Sequence, residues 1–175
     1  MVDPTRAQQI IAAARELLEE EGPDALTMRR LAERVGIKAP SLYKHFPDKS
    51  SVETALIAQA LSETADVLEA AEAEAPGSFA ALAAAYRAHA LAHPHLYRLA
   101  TDRPLDRAAL PEGVEERAAA PLFRVVGGDP DAARAAWAFA HGMAILELNG
   151  RFPPGADLAA AWATGSRAFV SAHAR

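Results

Sequence analysis

The sequence predicts an all-α protein, and three observations carry that prediction. Just over half of the 175 residues are hydrophobic and alanine dominates that fraction, which favours helix over strand. Aromatic residues make up only 6% and runs of β-branched residues are absent, against the usual composition of strands. Apolar residues recur at three- and four-residue spacing along the chain, as helices with one buried face require. The length suits one ordinary domain, or a small domain of about 50 residues joined to a larger one.

The first helix is predicted over residues 5–21. Ile10, Ile11, Ala14, Leu17 and Leu18 form one apolar stripe, and Gly22-Pro23-Asp24 ends it. Thr27 is a candidate N-cap for a short second helix over 28–35, with Leu31, Ala32 and Val35 inward. Gly36 can adopt the positive φ of a sharp turn, and Ile37 plugs that turn into the core. Pro40 suits the first turn of a third helix over 39–46, which buries Leu42 and Phe46. Pro47 breaks it, and Asp48 can cap a long fourth helix over 49–74. Ala75-Pro76-Gly77-Ser78 is the next break. Helices follow over 79–92 and 95–100, separated at His93-Pro94. Residues 101–113 read as a loop holding at most one helical turn. Three further helices are expected over 114–126, 131–149 and 156–172, with Gly- and Pro-rich turns between them.

No cysteine is present, so disulfides and thiolate metal sites are excluded and a reducing compartment is permitted. Asp3 and a polar helix at the start leave no visible signal peptide, and no apolar run approaches the roughly 18–20 residues of a membrane span. A cytoplasmic protein is the expectation. The net charge is −5, yet the charge is unevenly placed. Residues 27–49 hold Arg29, Arg30, Arg34, Lys38, Lys44 and Lys49 against Glu33 and Asp48. A basic segment on an acidic body fits a small module that grips phosphates.

Two short helices joined by a tight glycine turn, with small Ala32 allowing close approach, make a helix-turn-helix. Its second helix can lie in a DNA major groove while flanking groups meet the backbone. Lys38, Ala39, Pro40, Ser41, Lys44 and His45 then face outward, with Tyr43 at the edge, partly buried with only its hydroxyl free. Thr27, Arg29 and Lys49 are further candidates for DNA contact.

Residues 5–57 resemble the DNA-binding domain of the tetracycline-repressor (TetR) family of transcriptional regulators. The matching residues are Leu31-Ala32, Val35-Gly36-Ile37 and Ser41-Leu42-Tyr43-Lys44-His45-Phe46-Pro47-Asp48-Lys49. The resemblance implies that Tyr43, His45 and Lys49 contact phosphates and that Thr27 does so from its cap. Two departures stand out. Lys38 occupies a place where the family often has a capping serine, and Ser50-Ser51-Val52 replaces the usual acidic residue and leucine.

In the C-terminal half, Trp137-Ala138-Phe139-Ala140-His141-Gly142 resembles the tryptophan–histidine–glycine (WHG) signature of one subgroup of the family, and His93-Pro94-His95-Leu96-Tyr97-Arg98 recurs in such regulators. The resemblance implies a homodimer paired through the last two long helices, for which Phe139, Ile145, Leu146, Trp162 and Phe169 are candidates. Val170 is a further one. It also implies a small-molecule pocket, for which Tyr86, His89, Tyr97, Phe123, Trp137, His141 and Met143 are the larger or polar-tipped candidates. The expected organisation is a helix-turn-helix DNA-binding domain over 1–48 and a helical ligand-binding and dimerisation domain over 49–175. Operator DNA, a small-molecule ligand and a second copy are the expected partners. The motif fixes DNA binding but leaves repression and activation both open. His89, His93 and His95 invite a metal reading, but Pro94 breaks the helix between them, and no metal or cofactor is expected. No serine lies in a nucleophile-elbow context and no glycine loop suits a phosphate, so no catalytic set is assigned.

Overall fold

The computed structural model describes residues 5–169. All of its regular elements are helical: α1 (Arg6–Glu21), α2 (Met28–Val35), α3 (Ala39–Tyr43), α4 (Lys49–Glu74), α5 (Phe79–Ala92), α6 (Pro94–Thr101), a 3-10 turn at Arg107–Ala109, α7 (Val114–Val125), α8 (Pro130–Leu148) and α9 (Leu158–Arg167). Among the described residues no helix is long and apolar enough to cross a membrane.

Local chemistry sets most of these boundaries. Thr5 and Gln8 exchange side-chain and backbone hydrogen bonds in a capping box that starts α1. Asp129 caps α8 by accepting from the amides of Asp131 and Ala132, so that helix begins at Pro130, where a missing N–H costs nothing. Asp157 accepts from the Ala160 amide at 2.9 Å and starts α9 two residues later than the expected 156. Residues 170–172 of the expected last helix lie outside the described residues, as does Val170. The third helix is shorter than the expected 39–46, because regular α-helix stops at Tyr43. The Phe46 amide still reaches the Leu42 carbonyl at 3.0 Å, and that bond holds Phe46 half-buried against the core.

The chain divides into two compact units, and the division differs from the expected boundary at 48/49. The first unit holds the residues up to Leu61 together with His93–Glu112. Its core joins Ile10, Leu17 and Leu18 of α1, Leu31 of α2, Leu42 of α3, Val52 and Leu56 of α4 and Leu96 of α6. Leu96 is fully buried there. The N-terminus of α6 has no cap from its own chain segment. Glu19 of α1 supplies one, accepting from the Leu96 amide at 2.9 Å and from the His95 amide at 3.4 Å. A carboxylate at a helix N-terminus satisfies orphan donors and opposes the positive end of the dipole.

The second unit holds Ser62–Ala92 and the chain from Gly113 onward. An aromatic cluster fills it: Phe79 packs on Phe139 and Phe169, and Phe139 meets the edge of Trp162 at 5.7 Å. Gly165 on α9 makes room for the Phe139 ring; a Cβ at that position would lie 2.1 Å from its Cε2. Beside the cluster, Glu147 of α8 takes a bidentate pair from Arg87 of α5 at 2.9 and 2.6 Å and accepts from Trp162 Nε1 at 3.3 Å. Arg87 also lies 5.8 Å from the Trp162 ring centre, within cation–π range. Two arginines of α7 grip acids one turn apart on α4: Arg117 pairs with Asp66 and Glu69, and Arg124 with Glu72.

Candidate nucleic-acid interface

The turn between α2 and α3 is built from three residues. Thr27 caps α2 by accepting from the Arg30 amide at 3.2 Å. Gly36 sits at φ 71° and ψ 32°, the left-handed region, and Ile37 returns its amide to the Ala32 carbonyl at 3.0 Å. This is the backbone geometry of a glycine-terminated helix. A Cβ on Gly36 would meet nothing within 4 Å, so φ alone requires glycine here. Half-buried Ile37 then anchors the turn to the core.

The turn delivers α3 with Leu42 fully buried and Lys38, Ala39, Pro40, Tyr43, Lys44 and His45 exposed, while Ser41 is half-buried. Tyr43, expected to be partly buried with only its hydroxyl free, is 49% exposed at the last residue of α3. Lys38 stands at the N-cap of α3 without a side-chain cap, as its departure from serine implies. At the start of α4, Ser51 and Asp48 bond reciprocally: the Ser51 amide donates to Asp48 Oδ1 at 2.7 Å and the Asp48 amide to Ser51 Oγ at 3.3 Å. Ser51 therefore closes the capping box from the N3 position, which Glu or Gln usually fills.

The basic residues split into two groups. Arg29 pairs with Glu33 along α2 at 3.0 Å. Arg30 bonds Glu21, and Arg34 lies among Glu20 at 2.9 Å, Glu21 at 3.3 Å and Glu16 at 3.8 Å. The Arg30 hydrogen bond holds the Glu21 carboxyl below its ordinary range, and the bond to Glu20 raises Arg34. Acids of α1 thus neutralise two of the arginines that sequence counting assigned to the patch. Lys38 and Lys44 make no ion pair among the described residues. Lys49, half-buried at the start of α4, pairs with Glu53 at 3.4 Å.

The remaining candidates are distributed over both units. Tyr97 is buried in the first unit, whereas Tyr86, His89, Phe123, Trp137, His141 and Met143 belong to the second. There Tyr86, His89, His141 and Met143 are half-buried, Phe123 is exposed, and Trp137 is 51% exposed and stacks on His141 at 5.7 Å. Of the pairing candidates, Trp162 is buried and Phe139 and Phe169 are half-buried in the chain's own aromatic cluster. Ile145 is half-buried and Leu146 is 41% exposed. Sequence reasoning missed the Arg87–Glu147–Trp162 node and the Glu19 cap. Each joins residues far apart in the chain, and local spacing carries no signal for such pairs.

Comparison with known proteins places this architecture. Residues 10–56 match the model for bacterial regulatory proteins of the tetR family, and residues 79–169 match that for a tetracyclin repressor-like C-terminal domain. The chain belongs to the TetR family. It is similar to an HTH-type transcriptional regulator of Mycobacterium tuberculosis, 32% identical over 82% of this chain and 70% of that one. It also resembles the tetracycline repressor protein class A of Escherichia coli, 48% identical over 31% of this chain but only 25% of the relative. A solved structure of a Rhodococcus protein of unknown function has a TM-score of 0.82, at 27% identity, over 96% of this chain and 95% of that one. As a TetR-family member the chain is a DNA-binding transcriptional regulator. The family consists of regulators, typically repressors answering to small molecules, and not of enzymes.

Proposed function

We propose that this TetR-family protein is a cytoplasmic homodimeric repressor whose paired α3 helices enter successive major grooves of a pseudo-palindromic operator about 34–36 Å apart. The observation that carries this reading is the surface of α3. Small Ala39, Pro40 and Ser41 permit close approach, and unpaired Lys38 and Lys44 flank them. Lys44 and Ser41 read base edges. Tyr43, His45, Lys49 and Thr27 meet phosphates, and Arg29 can exchange its exposed partner Glu33 for one.

Pairing runs through α8 and α9, with Leu146 and Ile145 on the face offered to the second copy and Phe139, Trp162 and Phe169 fixing that face from within. Trp137, His141 and Gly142 on α8 support membership of the WHG subgroup. A small molecule released into the helices of the second unit, against Tyr86, His89, Phe123, Trp137 or His141, or Tyr97 of the first unit, favours a different tilt of α4, the one helix shared by both units. It lowers operator affinity only by as much as it binds the two states differently.

The test is a footprint upstream of the gene with purified protein, followed by anisotropy titrations on the protected duplex. Protection of a two-fold symmetric site, with Lys44→Ala altering sequence preference, is the expected result. A protein that stays monomeric and protects no site would refute the proposal.

A further inference from the structure

Lys49 is not alone at the start of α4. One turn along the helix, Glu53 is largely covered, its side chain only 15% exposed, and its two oxygens hold different cations. Oε1 lies 3.4 Å from Lys49 Nζ, and Oε2 lies 3.3 Å from Nη1 of Arg103. Arg103 is distant in sequence, just beyond α6, but belongs to the same compact unit. Its side chain is 64% exposed at the edge of a cleft of about 130 Å³ lined also by Leu99, Pro104, Leu105 and Leu110 and by Ile57 and Glu53 of α4.

We infer that Arg103 is a positioning residue that sets operator affinity by drawing the Glu53 charge away from Lys49. The inference rests on the reading above in which Lys49 meets phosphate. A Lys49–Glu53 pair alone is neutral and offers a phosphate little attraction. With Arg103 the group carries one net positive charge, and the ammonium has a competitor for its carboxylate. Only Glu53 is covered, while Lys49 and Arg103 are 42% and 64% exposed, so each pairing shifts binding by no more than about severalfold, and each effect counts twice in a dimer.

The test is a double-mutant cycle read by anisotropy on the operator and on an unrelated duplex. Arg103→Ala is expected to weaken binding to both duplexes about three- to tenfold, with their affinity ratio unchanged. Arg103→Lys should retain most of the affinity. Glu53→Gln should tighten binding by a similar factor, and in that background Arg103→Ala should change it less than about twofold. An equal Arg103→Ala effect in both backgrounds would mean a direct phosphate contact and would overturn the inference. A Glu53→Gln protein that binds no more tightly would overturn it too, whether or not Arg103→Ala folds. If the unchanged protein ignores DNA, the functional reading fails together with this one; if it binds its operator and the cycle is additive, this inference alone fails.

Discussion

Gly165→Ala tests the packing of the second unit, because two effects of opposite sign compete there. Helix propensity favours alanine over glycine inside α9 by about 0.8–1 kcal/mol. Against it, the new Cβ would stand 2.1 Å from Phe139 Cε2 and 2.2 Å from Cζ. The ring cannot simply swing aside, since Phe79, Trp162 and Phe169 surround it. Overpacking of this kind costs about 1–3 kcal/mol, so the net effect is a loss of about 1 kcal/mol. For a chain of this size that lowers Tm by about 2–4 °C. The assay is thermal unfolding by circular dichroism at one fixed protein concentration, because a dimer's Tm depends on concentration. Phe139→Leu supplies the control. With the ring gone, Gly165→Ala should become neutral or stabilising by up to about 1 kcal/mol. A rise in Tm for Gly165→Ala in the unchanged protein would refute the packing described for Phe139.

The same structure sets further outcomes. With Lys38, Lys49 and Arg29 meeting phosphates in each head, a dimer neutralises about six phosphates, and log K against log salt should slope near −5; a slope steeper than about −7 would return Arg30 and Arg34 to the interface. Tyr43→Phe should weaken operator and random duplex alike in competition titrations, whereas Ser41→Ala should change which bases are preferred. Glu147→Gln should cost about 1–3 kcal/mol near neutral pH in urea unfolding, by leaving the part-buried Arg87 poorly partnered. The Arg87 hydrogen bond, aided by that from Trp162, holds Glu147 below its ordinary carboxylate range. Its stabilisation is therefore complete above the unfolded pKa and is lost as pH falls through the lower folded one, so the variant should lose less stability between about pH 5 and pH 2. Leu146→Glu should shift sedimentation toward monomer and reduce operator affinity while leaving the helical content unchanged.

Most helices and the exposed face of α3 were legible in the sequence because local rules govern them. Thr27, Gly36, Pro40 and Asp48 each act within four residues of themselves, through caps and turns. The charge of that surface was less legible. Counting residues 27–49 credits Arg30 and Arg34 to a basic patch, but Glu16, Glu20 and Glu21 reach them from α1. Apolar spacing also could not say which side of α8 faces inward. Phe139 looks like an outward anchor until Gly165, 26 positions later, proves to be the gap it fills. The expected boundary at residue 48 followed the break at Pro47-Asp48 and the family resemblance, whereas the first compact unit also takes in His93–Glu112, with Leu96 in its core and Glu19 capping α6.

The Glu19 cap on α6 has a bearing on how such regulators can be recombined. The first unit is encoded in two separate stretches, and the second carries Leu96, fully buried in its core. Exchanging only the first sixty codons between relatives would set a new α1 against an unfamiliar α6 and, where the incoming chain has no carboxylate at position 19, leave two amides without their acceptor. Hybrids that move residues 93–112 together with the N-terminal stretch should fold, and those that leave this segment behind should be expressed poorly.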